Sequence, residues 1–271
     1  MQNKYLLDVR LVFLNNNSIV PTANSRQIRR FTLDKVLFWD FHGTLTWADS
    51  LWSKSLHQAA LAIVPGCGIT VQQVRDCLDN DGFPWHHPEK TYLQITEPAA
   101  WWNHVNRLFY TTCRRLGLTD AEACQIVPQV RARILDLGNY QLFDSAVQVL
   151  SDLRLNGWRH IILSNNFPEL PDICEGIGIG SFFDEYIVSA RVGYDKPRPE
   201  IFRLALDAAG SPQTCFMIGD NPEVDIIGAQ AAGIPGILVN CRKSDGAAAR
   251  QAAFRCQDLG QLSALLSNLL A

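Results

Sequence analysis

Three kinds of patterning divide the chain. Residues Lys35 to Trp39 form a continuous apolar run that stops at Asp40, with Gly43-Thr44 just beyond. A short run without polar alternation, closed by a polar loop, predicts a strand buried on both faces of a parallel sheet. From Trp47 to Phe143 the period changes. Ala99 to Leu116 and Ala121 to Leu137 repeat apolar residues three and four positions apart, which predicts amphipathic helices. Pro65-Gly66, Gly82-Phe83-Pro84 and Pro88 interrupt this block, and nothing in it alternates as a sheet would.

Beyond residue 144 strand and helix signals alternate. A helix over Ser145 to Leu155 ends before Gly157, and a strand over Arg159 to Leu163 leads into Ser164-Asn165-Asn166. A strand at Tyr186 to Val188 precedes the loop that holds Lys196, and a helix opens near Pro199 and runs to Gly210. Thr214 to Ile218 forms another strand, ending in Gly219-Asp220. A helix around Asp225 to Ala232, a strand over Gly236 to Asn240 and a last amphipathic helix over Leu259 to Leu270 complete the series. Repeated in this way, the units predict a Rossmann-like α/β fold: a mostly parallel sheet with helices on both faces, joined by right-handed crossovers. The expected division is an N-terminal extension over 1–34, a core over 35–46 and 144–271, and a helical cap inserted at 47–143.

Composition narrows the functional classes. With 47% hydrophobic and 19% charged residues the chain matches ordinary globular proteins, which excludes disordered and fibrous classes. A net charge of −3 carries no footprint for nucleic acid, and Arg26, Arg29 and Arg30 read as a solvated lead-in to the first strand. Leu11 to Leu14 is short and follows Asp8 and Arg10, which suits neither a signal peptide nor a membrane span. The eight cysteines include no C-x-x-C pair and read as reduced thiols, so a cytoplasmic protein is expected. The oligomeric state is left open.

The reactive residues gather at predicted strand ends, where ligands of such sheets bind. A carboxylate held rigidly at Asp40 suits nucleophilic attack that splits a hydrolysis into two steps. Asp40 and Asp220 offer the hard oxygens that Mg²⁺ prefers. The Gly43-Thr44 backbone, the Ser164 hydroxyl with its neighbour Asn165, and the Lys196 ammonium suit phosphoryl oxygens. Asp225 would hold a metal-bound water or orient Lys196.

Four segments, Asp40-Phe41-His42-Gly43-Thr44, Ser164-Asn165, Lys196, and GDNPEVD over 219–225, resemble in order and spacing the four motifs of the haloacid dehalogenase-like superfamily. The resemblance covers roughly 35–271 and implies a phosphatase-type hydrolase with Mg²⁺, a small phosphorylated metabolite as substrate, and a helical cap of the C1 type. It assigns catalysis to Asp40, His42, Ser164 and Lys196. Substrate contacts fall to Gly43, Thr44, Ser164, Asn165 and Lys196, and metal binding to Asp40, the His42 carbonyl, Asp220 and Asp225. His42 stands where phosphatases of this group carry a second Asp. Three readings follow: imidazole as the general acid/base, a shift to dehalogenase- or phosphonatase-like chemistry, or a weak site kept for binding phosphate esters. His57, His86, His87 and His104 among Trp85, Trp101 and Trp102 read as packing or rim residues, with substrate selection as the alternative.

Overall fold

The computed structural model describes residues 34–240 and 246–269. The expected extension, with the arginine cluster and the Leu11 to Leu14 run, therefore lies outside the described residues except for Asp34.

The apolar run forms β1 (Lys35–Trp39), whose residues 36–39 are wholly buried. A two-residue strand β2 (Thr46–Trp47) follows, then five helices: α1 (Leu51–Ile63), α2 (Val71–Asp81), α3 (Pro98–Arg115), α4 (Asp120–Ile126) and α5 (Val130–Ile134). The chain returns through β3 (Gln141–Leu142), antiparallel to β2. It continues through α6 (Ala146–Leu155), β4 (Trp158–Ser164), α7 (Leu170–Gly176), β5 (Glu185–Val188), α8 (Ser189–Val192), α9 (Pro199–Ala209) and β6 (Thr214–Gly219). A wide π-type turn over Pro222–Ile227 runs into α10 (Gly228–Ala231), followed by β7 (Gly236–Leu238), β8 (Phe254–Arg255) and α11 (Gly260–Leu269).

The main sheet has the order β5-β4-β1-β6-β7-β8, and every pairing in it is parallel. β1 is central, and its successive side chains leave by opposite faces. Val36 and Phe38 join Ile161, Met217 and the α9 residues Ile201, Phe202 and Ala205 on one face. Leu37 and Trp39 pack on the other with Leu150, Leu153 and Leu262. The second cluster runs without a break into the helical block, through Trp101, Val105 and Phe109. Chain direction across the sheet reverses at β1, since β4 and β6 lie on either side of it, and this switch point is where such sheets open a crevice.

The expected helices are present with three differences. The pattern over Ala121 to Leu137 is interrupted by Pro128, which has no N–H to donate, so α4 and α5 are separated by a tight turn over Val127–Gln129. The helix expected around Asp225 to Ala232 begins earlier and opens as the wide turn over Pro222–Ile227, because the Asn221 side chain accepts from Glu223 N and Val224 N, both at 3.1 Å. The β2–β3 pair supplies a small ribbon where only helices were expected, and its short strands leave no room for alternation. In α2 a capping box fixes the start: Thr70 Oγ1 accepts from Gln73 N at 3.2 Å, and Thr70 N donates to Gln73 Oε1 at 2.9 Å.

Candidate active site

Asp40 follows β1 directly, and its backbone N–H is held by Ile218 O at 2.9 Å. One carboxylate oxygen, Oδ1, accepts from Ser164 Oγ at 3.0 Å and from Lys196 Nζ at 2.7 Å. Both donors are buried. No donor among the described residues reaches Oδ2, so the two oxygens have different duties: one is fixed, the other is left free of donors in a residue that lines the cavity.

The loop after Asp40 closes tightly, with Leu45 N and Thr46 N both donating to Phe41 O at 3.0 Å. Gly43 adopts φ +85°, and a Cβ there would lie 2.3 Å from Asp220 Oδ2. Both facts require glycine. Its N–H donates to Thr46 O at 2.7 Å, so this expected phosphate donor is already engaged. Thr44 is fully buried with its Oγ1 unpartnered. Asn240, which sequence reasoning missed, donates from Nδ2 to the carbonyls of Gly43 and Thr44 at 3.2 and 3.1 Å and ties the loop to the end of β7.

Asn165 grips the Lys196 backbone at two points. Lys196 N donates to its Oδ1 at 2.7 Å, and its Nδ2 donates to Lys196 O at 2.9 Å. The expected ligand contact is thus a clamp that positions the lysine. Burial pulls the Lys196 ammonium down, but the Asp225 and Asp40 carboxylates outweigh it and hold the proton on. Nζ also meets Asp225 Oδ1 at 2.6 Å, and Asp225 Oδ2 accepts from Asn221 N at 3.1 Å. Gly219 is needed for this approach, since a Cβ there would lie 2.2 Å from Asp225 Oδ2.

Asp40, Asp220 and Asp225 each offer a ligand atom, and these lie within 4.8 Å of one another. Burial, and then the charges of Asp40 and Asp225, push Asp220 up to about 7. Three carboxylates against one buried ammonium form an under-compensated negative pocket of hard oxygens, a donor set that fits Mg²⁺. The His42 ring is not in this group. It stacks on Tyr140 at 5.8 Å, meets Phe41 edge-on at 5.0 Å, and leaves Nε2 buried without a partner. Burial lowers its pKa to about 4, with the Asp40 charge pulling the other way. Asp195, also missed, is buried beside Lys196 with Oδ1 unpartnered, and burial pushes it up to about 6. Among the histidines of the helical block, His86 lies on the cavity wall, His57 is bonded to Ile69 O at 2.9 Å and His104 packs edge-on against Tyr92.

A Rossmann-like parallel sheet with an acid cluster and a buried lysine at its switch point defines a class of α/β hydrolase. The chain belongs to the haloacid dehalogenase-like hydrolase family, whose profile matches residues 35–233. It is 36% identical over 103 residues to a phosphoserine phosphatase of Thermus thermophilus, covering 37% of this chain and 41% of that protein. It is 32% identical over 171 residues to haloacid dehalogenase-like hydrolase domain-containing protein 3 of Mus musculus, covering 62% of this chain and 67% of the relative. The fold is shared with a HAD phosphatase from Thermococcus onnurineus at TM-score 0.60 and 22% identity, over 86% of this chain and 97% of that one. No helix among the described residues is long and apolar enough to cross a membrane.

Proposed function

We propose that the protein is a Mg²⁺-dependent phosphatase of small phosphorylated metabolites that works through an aspartyl-phosphate on Asp40. The observation that carries this reading is the asymmetry of Asp40: Oδ1 is held by Ser164 and Lys196, while no donor among the described residues reaches Oδ2, and Asp40 lines the cavity beside Asp220. Attack by Oδ2 on phosphorus breaks the bond to the leaving oxygen, which takes up a proton and departs as an alcohol. Water then attacks the phosphorus of the aspartyl-phosphate, releasing inorganic phosphate and restoring the carboxylate. Ser164 and Lys196 orient the nucleophile and hold phosphoryl oxygens, and Gly43, which lines the cavity, faces the same group. Asn165 and Asp225 hold Lys196 in place. Mg²⁺ held by Asp40, Asp220, the His42 carbonyl and the Asp225 side of the pocket would neutralise charge and polarise the phosphoryl oxygens.

In this reading residues 35–46 and 144–271 act as the catalytic core and 47–143 as a C1-type cap. The protein works in the cytoplasm, in keeping with the free thiols of the described cysteines. His42 lines the cavity, but its ring stacks on Tyr140 and burial lowers its pKa to about 4; this favours a slow enzyme, because a proton donor at that place must first carry a charge that its surroundings disfavour. The carboxylate cluster speaks against a metal-free dehalogenase. The test is phosphate release from a panel of esters by the purified full chain, with Mg²⁺ and with excess chelator, alongside Asp40→Asn. Mg²⁺-dependent release that is lost in the variant is expected, with acid-stable labelling of the wild type by radioactive phosphate. Full activity in chelator, or normal turnover by Asp40→Asn, overturns the reading.

A further inference from the structure

The cavity that reaches Asp40 encloses about 730 Å³. Pockets of that size hold drug-sized ligands, so a phosphoryl group fills only the inner end. The outer wall comes from α1, α2 and the loop after α2, and two chemistries meet on it.

The first is aromatic. Phe83 and Trp85 stack at 4.6 Å with 9° between their planes, and Trp52 leans on them at 4.9 and 5.3 Å. Phe83 is buried, while Trp52 and Trp85 are half-buried and line the cavity. The second is a donor and an acceptor side by side. Arg75 and Asp79 both line the cavity, and their spacing of four places them on one face of α2. Arg75 is paired with no carboxylate among the described residues. Its guanidinium donates to Ser50 Oγ, which donates to Asp49 Oδ1 at 2.8 Å. Ser50 has φ 56° and ψ 37°, a left-handed conformation uncommon outside glycine that is kept where the surroundings impose it, often at ligand clamps.

Arg offers only donors and a carboxylate only acceptors. A plain phenyl ring lying here would cover both without satisfying either, at a cost in affinity. A second anion would meet Asp79, and an acyclic alcohol would leave the indoles unused. We propose that the leaving group carries a flat heterocycle of nucleobase type, resting on Trp52 and Trp85 with a donor-and-acceptor edge turned to Asp79 and Arg75. This rests on the phosphatase reading above.

The test compares nucleoside 5′-monophosphates with glucose 6-phosphate and glycerol phosphate on wild type, Arg75→Gln and Asp79→Asn. Asp79 is exposed, so its variant keeps the fold. The wild type should show a KM for at least one nucleotide about tenfold or more below those for the sugar and glycerol esters. Each variant should raise the nucleotide KM on the order of ten- to a hundredfold while leaving glycerol phosphate turnover unchanged. Sugar or glycerol phosphates preferred by the wild type, or discrimination unchanged in both variants, overturns the proposal. If no ester is hydrolysed at all, the phosphatase reading fails separately. Quenching of tryptophan fluorescence by free nucleosides, lost in Arg75→Gln, then still supports the wall, and no quenching overturns it.

Discussion

Lys196 and Asp225, both buried and 29 residues apart in the chain, meet at 2.6 Å between Nζ and Oδ1. The same ammonium holds Asp40, so its removal leaves two carboxylates facing each other without a cation. Lys196→Met should lose activity and about 3–5 kcal/mol of stability, the usual cost of orphaning a buried charge. Urea denaturation measures this, and adding Asp225→Leu should recover part of the loss. Equal stability of Lys196→Met and wild type would show that the pair carries no such burden.

Asp220 predicts how metal and pH interact. Its folded pKa, about 7, lies above the ordinary carboxylate value. Its protonated form therefore favours the metal-free fold, fully so below the unfolded value, and that contribution fades as pH rises through about 7. Mg²⁺ competes with the same proton, so the rise in Tm on adding Mg²⁺ over chelator should grow between pH 5.5 and 8. Asp220→Asn should abolish the rise. A shift of equal size at both ends of the range would contradict the assignment.

His160 sets a second pH dependence, far from the chemistry. Trp39 Nε1 donates to its Nδ1 at 2.9 Å, and burial lowers its pKa to about 4. The unfolded chain takes up a proton near 6.5 and the folded one does not, so stability present above 6.5 drains away as pH falls toward 4, by up to about 3 kcal/mol. His160→Gln keeps an acceptor for Trp39 and removes the titration. Denaturation curves at pH 4.5 and 7 should differ less for the variant than for wild type.

The His42 ring lines the cavity against Tyr140 and Phe41, and with its pKa lowered to about 4 it is a poor source of protons for a departing oxygen. Rates should therefore fall steeply as the leaving group becomes more basic. His42→Asp should raise turnover by about 10²–10⁴-fold for alkyl esters and much less for nitrophenyl esters. A uniform change across both kinds of ester would mean that the imidazole already transfers the proton.

Glu169 joins α7 to the helical block. It accepts from Trp102 Nε1 at 3.0 Å and pairs with Arg131, whose guanidinium lies 5.2 Å from the Trp102 ring. Trp102 and Trp52 both pack on Phe167, so this contact braces the cavity wall. Glu169→Ala should raise KM several-fold more than it lowers kcat. Steady-state kinetics with one ester decides this, and a fall in kcat alone would count against bracing.

The sequence made legible whatever is local. Asp40, Ser164 and Gly219-Asp220 each close an apolar run, Lys196 follows one in the next loop, and strand ends are where such sheets expose side chains. The structure brings all of them together. What escaped notice depends on distant partners. Asn240 meets the Gly43 carbonyl across 197 residues. Tyr140 covers His42 from a strand lead-in that has no pattern of its own, and Asp195 is hidden beside the more conspicuous lysine. Asn165 was visible but not its orientation, because an amide at a strand end serves equally as a ligand contact and as a backbone clamp. The short α7 and α8, too brief for a hydrophobic period, were not separable from loop.

The ribbon formed by β2 and β3 has a consequence for how this protein family could diversify. Thr46 pairs with Leu142 and Trp47 with Gln141, and Phe143 N donates to Leu45 O at 3.1 Å, so the chain leaves the sheet and returns to it at one doorway. A segment whose ends are already adjacent adds little closure entropy to the sheet that carries it, whatever its length. Lineages could therefore lengthen, shorten or replace the helices beyond that doorway without moving Asp40, and selection on what enters the cavity is decoupled from selection on what happens at its floor.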